Sequence, residues 1–201
     1  MPLRAGQHAA PVPAFATPAT FCDSWELTCR RAQDTMVAMT TPKGKKPSES
    51  AVVTRYLLMP HQANPQGTAF GGAIMGWVDM VAALAAERHC RTEVVTAGID
   101  SMAFKAPVRI GDHVVLKASV NYVSRSSLEV GVQVTREDPR TGEKVIATTA
   151  HVTLVALDEQ KRPTPAPPVL PTTPEEKRWY ERAKQRVQLR KERLRQLAPD
   201  A

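Results

Sequence analysis

The spacing of hydrophobic and polar positions changes several times along this chain, and each change marks an element. "AVVTRYLLMP" (51–60) is a short apolar-rich run closed by Pro60, which predicts a strand. A polar loop, "HQANPQGT", follows. From about Gly72 to Arg88 the chain is rich in Ala and Leu and free of Pro, which predicts a helix. Its apolar residues lie on every side, so the helix is expected to be buried all round. Four strand patterns come next, beginning with "VVTAGIDSMAF" (94–104). "HVVLKASVNYV" (113–123) alternates, with Val114, Leu116, Ala118, Val120 and Tyr122 on one face. "LEVGVQVTRE" (128–137) sets Leu128, Val130, Val132 and Val134 against Glu129, Gln133 and Thr135. "EKVIATTAHVTLVAL" (143–157) is the last, and "RIGD", "SRSS" and "EDPRTGE" are turns.

The two ends read differently. Residues 1–48 include "AAPVPAFATPAT" and "TTPKGKKPSES", which have no period and are expected to be disordered. Residues 49–158 form the predicted domain, and "DEQKRPTPAPPVLP" leads into a Pro-rich, extended linker, 159–172. Residues 173–201 begin with Thr173, Pro174 and, three after the cap, Glu176, a capping box that opens a terminal helix. One strand, one helix apolar all round and four further antiparallel strands predict an α+β chain. A five-stranded antiparallel sheet wrapped around one long central helix is the hotdog fold, here with an extra C-terminal helix.

Charge and cysteine content narrow the function classes. The formal net charge is +7, and residues 175–195 hold nine Lys/Arg and four Glu, so most of it sits on the terminal helix. That helix lacks aromatic interleaving and any nucleic-acid motif, and it reads as a solvated face. Cys22, Cys29 and Cys90 contain no C-x-x-C pair, which argues against a disulfide framework or a zinc site and fits a reducing, cytoplasmic compartment. No metal or cofactor is expected. The apolar run 69–86 only just reaches the ~18 residues a membrane span needs. Its three glycines and central Asp79 make it a poor one, so no membrane span is expected.

Asp79 is the one charged residue in that run. A buried carboxylate is costly unless paired or hydrogen-bonded. It therefore either caps something, meets solvent at a subunit seam, or works as a general base or nucleophile. Gly71 and Gly72 stand where the loop becomes the helix, and N–H groups at a helix start are unpaired and carry the positive end of the dipole. Glycine leaves them open to a carbonyl oxygen that is becoming an oxyanion. Asp79 follows Gly72 by seven residues, so it sits ~10 Å further along the axis. That is too far to serve its own helix start, and an antiparallel helix from a second subunit would close the gap. Asn64, in the loop, offers an amide to orient a water or a carbonyl.

"LLMPHQANPQGTAFGGAIMGWVDMVAALAA", "VVTAGIDSMAFKAPVRIGD" and "YVSRSSLEVGVQV" closely resemble the hotdog-fold acyl-CoA thioesterases of the YciA and brain-type cytosolic acyl-CoA hydrolase group. The resemblance covers residues 51–157 and implies hydrolysis of acyl-CoA to a free fatty acid and coenzyme A. It implies a homodimer as the minimal unit, assembled as a hexamer. It implies Asp79 as the catalytic carboxylate and Asn64 as the Asn that completes the site from the other subunit. Gly71 and Gly72 fall where the helix N-terminus polarises the thioester carbonyl. Ser124, Arg125, Ser126 and Ser127 match a loop near the coenzyme A moiety, where Arg125 suits its phosphates. His61 and Gln62 stand where relatives often carry a carboxylate. One rival reading is a non-catalytic acyl-CoA-binding regulatory module. Another is a dehydratase of hydroxyacyl carriers, which needs a His facing a carboxylate and has only His89 and His151 to draw on.

Overall fold

The computed structural model describes residues 42–197. Along the chain lie α1 (Pro47–Ser50), β1 (Val52–Leu57), a 3-10 turn (Pro60–Gln62), α2 (Gly71–Cys90), β2 (Glu93–Phe104), β3 (His113–Val123), β4 (Ser127–Glu137), β5 (Lys144–Leu157) and α3 (Pro174–Leu197). The strands form one antiparallel sheet in the order β1-β3-β4-β5-β2, with α2 packed on its inner face. This is the expected hotdog arrangement, and α3 is the expected extra helix.

Alternation in the strands decides which side chains meet α2. Leu116, Val130, Val132, Val152 and Leu154 point inward and are buried with Trp77, Val78, Val81, Ala82 and Ala85 of the helix. Tyr56 of β1 stacks flat on Trp77, with ring centroids 4.6 Å apart. α2 ends at Arg91, which takes the left-handed conformation (φ 62°) and donates its N–H to Glu87 O.

Three expectations are corrected. α2 is not buried all round: Met75, Met80 and Leu84 are 45%, 51% and 45% exposed. One twisted sheet covers only one side of a helix, so an apolar opposite face remains uncovered in a single protomer. Tyr122 does not share the face of Val120. The register slips by one residue there, pairing Val120 with Val130 but Tyr122 with Glu129. This bulge turns Tyr122 outward and brings Val123 into the core in its place. Disorder as far as residue 48 also fails at its last part. Pro47 and Ser50 are buried in α1, and Lys45 forms a parallel bridge with Val169 and donates its Nζ to His89 O at the end of α2. Residues 1–41, the rest of that stretch, lie outside the described residues. The linker is extended as expected, yet packed. Thr164 N donates to Ala156 O, Ala166 N to Arg125 O and Leu170 N to Lys45 O, and Ala166, Pro167 and Val169 are buried.

α3 opens with the expected capping box, in which Glu176 N donates to Thr173 Oγ1 (3.1 Å) and Thr173 N to Glu176 Oε2 (2.9 Å). It then crosses the outer face of the sheet, where the Arg186 guanidinium grips the fully buried Glu129 carboxylate at 3.2 Å from Nε and 2.5 Å from Nη2. Burial pushes the Glu129 carboxyl above its ordinary range, and the hydrogen bond from Arg186 opposes that shift. Arg186→Met should strand this carboxylate and cost about 3–5 kcal/mol at neutral pH. A raised folded-state pKa means that the folded chain holds the proton longer than the unfolded one. Its stability therefore falls as pH rises from the ordinary value of 4.5 through the folded value. Denaturant titrations should show a smaller deficit for the variant at pH 5 than at pH 7, and equal deficits would contradict this account.

Candidate active site

The loop before α2 is folded by its own asparagine. Asn64 Oδ1 accepts the N–H groups of Gln66 and Thr68, both at 3.1 Å, and its Nδ2 donates to Thr68 Oγ1 at 2.9 Å. Gly67, at φ +73°, completes the turn by donating its N–H to Asn64 O. These bonds use one of the two amide hydrogens on Asn64 and leave the other free. Ala69 N donates to Val108 O and Phe70 N to Gln62 O, which fixes the angle at which the chain enters α2.

The first turn of α2 has no side-chain cap, and Ala73 N turns back to Phe70 O. Among the described residues no carbonyl accepts from the N–H of Gly71 or Gly72. A Cβ at Gly72 would lie 2.4 Å from a ring carbon of Phe70, so any larger residue forces that ring aside. Phe104 lies over Gly71, and Phe70 and Phe104 are 60% and 53% exposed. The helix start is thus a pair of bare donors between two exposed aromatic rings.

Asp79 lies on the uncovered face of α2, half-buried. Thr96 Oγ1, from β2, donates to Asp79 Oδ1 at 2.7 Å. Among the described residues no cation pairs with this carboxylate, and its Oδ2 has no partner. Thr96 was not singled out from the sequence. Its signal was a hydroxyl at an inward strand position, among Val94, Ile99 and Met102. The shifts between Thr96 and Gly98 and between Ile99 and Ser101 break the simple alternation that would have exposed it.

The predicted residues do not all meet within one protomer. Asn64, Gly71 and Gly72 gather at the N-terminal end of α2. Ser124, Arg125, Ser126 and Ser127 lie at the opposite end of the sheet, beside the start of β2, where Ser127 pairs with Val155 and Glu93 with Leu157. The twenty residues of α2, ~30 Å at 1.5 Å each, separate the two ends. The turn is held internally by Ser124 N donating to Ser127 O, and its carbonyls tether β5 and the linker. Arg125 is exposed.

The two histidines lie elsewhere. Burial lowers the pKa of His89, whose Nε2 is 2.8 Å from Pro167 O near the end of α2. His151 lies on the outer face of the sheet, and burial and Arg186 bring its pKa down to about 4. Neither faces Asp79 within the protomer, where a dehydratase would need a histidine opposite the carboxylate. Burial pushes the Cys90 thiol up to about 11, which disfavours its thiolate form at neutral pH. Among the described residues no cluster of His, Cys, Asp and Glu could hold a metal ion, and no helix is long and apolar enough to cross a membrane.

Residues 66–143 match the sequence profile described as the Thioesterase superfamily. A protein of Bacillus subtilis named an uncharacterized acyl-CoA thioester hydrolase is 42% identical over 157 residues, covering 78% of this chain and 91% of that one. A hexameric acyl-CoA thioesterase solved without ligand is 39% identical, with a TM-score of 0.74 over 76% of this chain and 98% of that one. The acyl-CoA hydrolase of Staphylococcus aureus, solved with butyryl coenzyme A and coenzyme A, is 37% identical. It has a TM-score of 0.72 over 76% of this chain and 93% of that one. That hydrolase has also been solved with an asparagine, an aspartate or a threonine replaced by alanine, and these three have the same spacing along its chain as Asn64, Asp79 and Thr96 have here.

Proposed function

This chain belongs to the hotdog-fold acyl-CoA thioester hydrolases of the thioesterase superfamily, and from that premise we propose that it cleaves acyl-CoA at a site shared by two subunits. The observation that carries the reading is Asp79, a carboxylate held by one hydroxyl on an uncovered apolar helix face. The same face exposes Met75, Met80 and Leu84, and β2 leaves one edge of the sheet open. A second copy related by a two-fold axis would cover both features and lay its α2 antiparallel to the first. Asp79 of one chain would then approach Gly71, Gly72 and Asn64 of the other. The turn at 124–127 would also come to the end of the sheet where the other chain's helix begins. A hexamer of three such dimers is the fuller assembly in this reading.

The chemistry follows from these groups. The N–H groups of Gly71 and Gly72 receive the thioester oxygen, and the helix dipole favours its growing negative charge. Asp79 takes a proton from a water that Asn64 helps to orient, and the water oxygen bonds to the carbonyl carbon. The tetrahedral adduct collapses, the carbon–sulfur bond breaks, and the coenzyme A thiolate leaves and takes up a proton. Ser124, Arg125, Ser126 and Ser127 line the path of the coenzyme A moiety, with Arg125 beside its phosphates. The scheme draws on side chains, backbone and water alone. Domain boundaries in this reading are residues 49–158 for the hotdog domain and 159–172 for the linker, with the terminal helix starting from residue 173. The free Cys90 suits a reducing, cytoplasmic setting.

A thiol-reactive dye with a panel of acyl-CoA chain lengths tests the activity. Release of free thiol is expected, whereas tight binding of acyl-CoA without release would favour the regulatory module instead. Thr96 positions the carboxylate. A hydrogen bond to a charged group contributes about 1.5–3 kcal/mol, so Thr96→Val should lower kcat roughly ten- to hundredfold with little change in KM. Thr96→Ser should restore most of the rate, and a purely packing role would leave Ser no better than Val.

A further inference from the structure

α3 carries a stripe that outruns its support. Tyr180 packs edge-on against Tyr122 of β3, ring centroids 5.3 Å apart, and Arg186 reaches Glu129 of β4. Arg190 then donates to both carboxylate oxygens of Asp100 on β2, at 2.8 and 2.7 Å, and to Thr153 of β5. The residues facing the sheet are Ala183, Val187 and Arg190, and the same three-and-four spacing continues to Leu194 and Leu197. Ala183 and Val187 are buried, but Leu194 and Leu197 are 48% and 66% exposed. The change falls where the sheet ends, because β2 is the edge strand. The helix goes on seven residues past Arg190, ~10 Å of rise. That is the width of two further strands at ~4.8 Å each.

We infer that the end of α3 is a strap that docks on the outer face of a second copy of this chain, with Leu194 and Leu197 seated on that copy's β2. The inference rests on the two-subunit reading above and goes beyond it, because no catalytic group is involved. The edge that β2 leaves open adjoins the uncovered face of α2, so the strap continues the same interface. A second β2 laid along this edge would extend the sheet under the overhang and give the stripe the floor it lacks. The strand suits that role. Val95, Gly98, Ser101 and Ala103 lie opposite Val155, Thr153, His151 and Thr149 and so face outward, and three of the four are small enough to admit a leucine. Asp100, in the register shift between Ile99 and Ser101, anchors Arg190 at the point where the helix leaves its own subunit.

The test compares the full chain with the double variant Leu194→Glu/Leu197→Glu and with Leu189→Glu. Leu189 is 65% exposed but lies off the stripe, so its variant adds the same kind of charge to the same helix. Sedimentation velocity over a dilution series, with circular dichroism to check helix content, reads the assembly. Losing the burial of two leucines should raise the dissociation constant of the dimer about tenfold or more. Leu189→Glu should leave it within about twofold. A double variant that dissociates at the same concentration as the unaltered chain overturns the strap and leaves the two-subunit reading standing. An unaltered chain that sediments as a monomer at every concentration overturns the two-subunit reading itself.

Discussion

Asp79→Asn should reduce thiol release by about a thousandfold, within the range that a general base contributes. The substitution keeps the shape of the side chain and its contact with the Thr96 hydroxyl, which can donate to an amide oxygen as it does to Asp79 Oδ1. It removes the anionic acceptor that faces the Thr96 hydroxyl. Asp79 has no ion-pair partner among the described residues, so no buried cation is left stranded and the melting temperature should hardly move. Binding of coenzyme A, measured by calorimetry, should persist, because in the proposed mechanism the carboxylate acts on the thioester and not on the nucleotide. The effect should therefore lie in kcat with KM little changed. Turnover near that of the unaltered chain would end the assignment of Asp79.

Mixing two inactive variants should restore about a quarter of the activity. Asn64→Ala and Asp79→Ala should each be nearly inactive alone, because in the proposed shared site every site would take Asn64 from one chain and Asp79 from the other. In a mixed dimer one site receives both altered residues, and the second receives neither. Random pairing makes half of the dimers mixed, and one site in two of those is intact. The chains should be refolded together or expressed together, so that they pair at random. If both residues served from the same chain, no mixture would contain an intact site and activity would stay at background. Asn64→Ala needs a stability control, because its side chain also closes the 64–68 turn through three hydrogen bonds. Recovery in the mixture supplies that control, since the Asn64→Ala chain contributes the working Asp79.

Much of the molecule was legible in the chain itself. The strands 113–123 and 128–137 announce themselves because one face is core and the other is not, so an apolar residue must recur at every second position. The capping box of Thr173 and Glu176 is local chemistry and could be read from three residues. Gly72 stood out at a helix start, and its closeness to the Phe70 ring gives it a reason. Asp79 stood out because a lone charge in an apolar run needs an explanation.

What sequence alone determined is the set of properties that neighbours along the chain decide: the strands, the two long helices, the caps and the odd carboxylate. Tertiary structure decided everything that depends on what faces what. Thr96 holds Asp79 because β2 returns beneath α2, and no periodicity in either segment records the meeting. Tyr122 turned outward because of a bulge, a slip of one residue that the alternating pattern cannot show. Lys45 and its neighbours took a fixed place because the linker lies beside them. An apolar residue is written the same way whether its own sheet covers it or a second subunit does. For that reason α2 reads as buried on all sides in the sequence, while the single fold buries one side and leaves the other open.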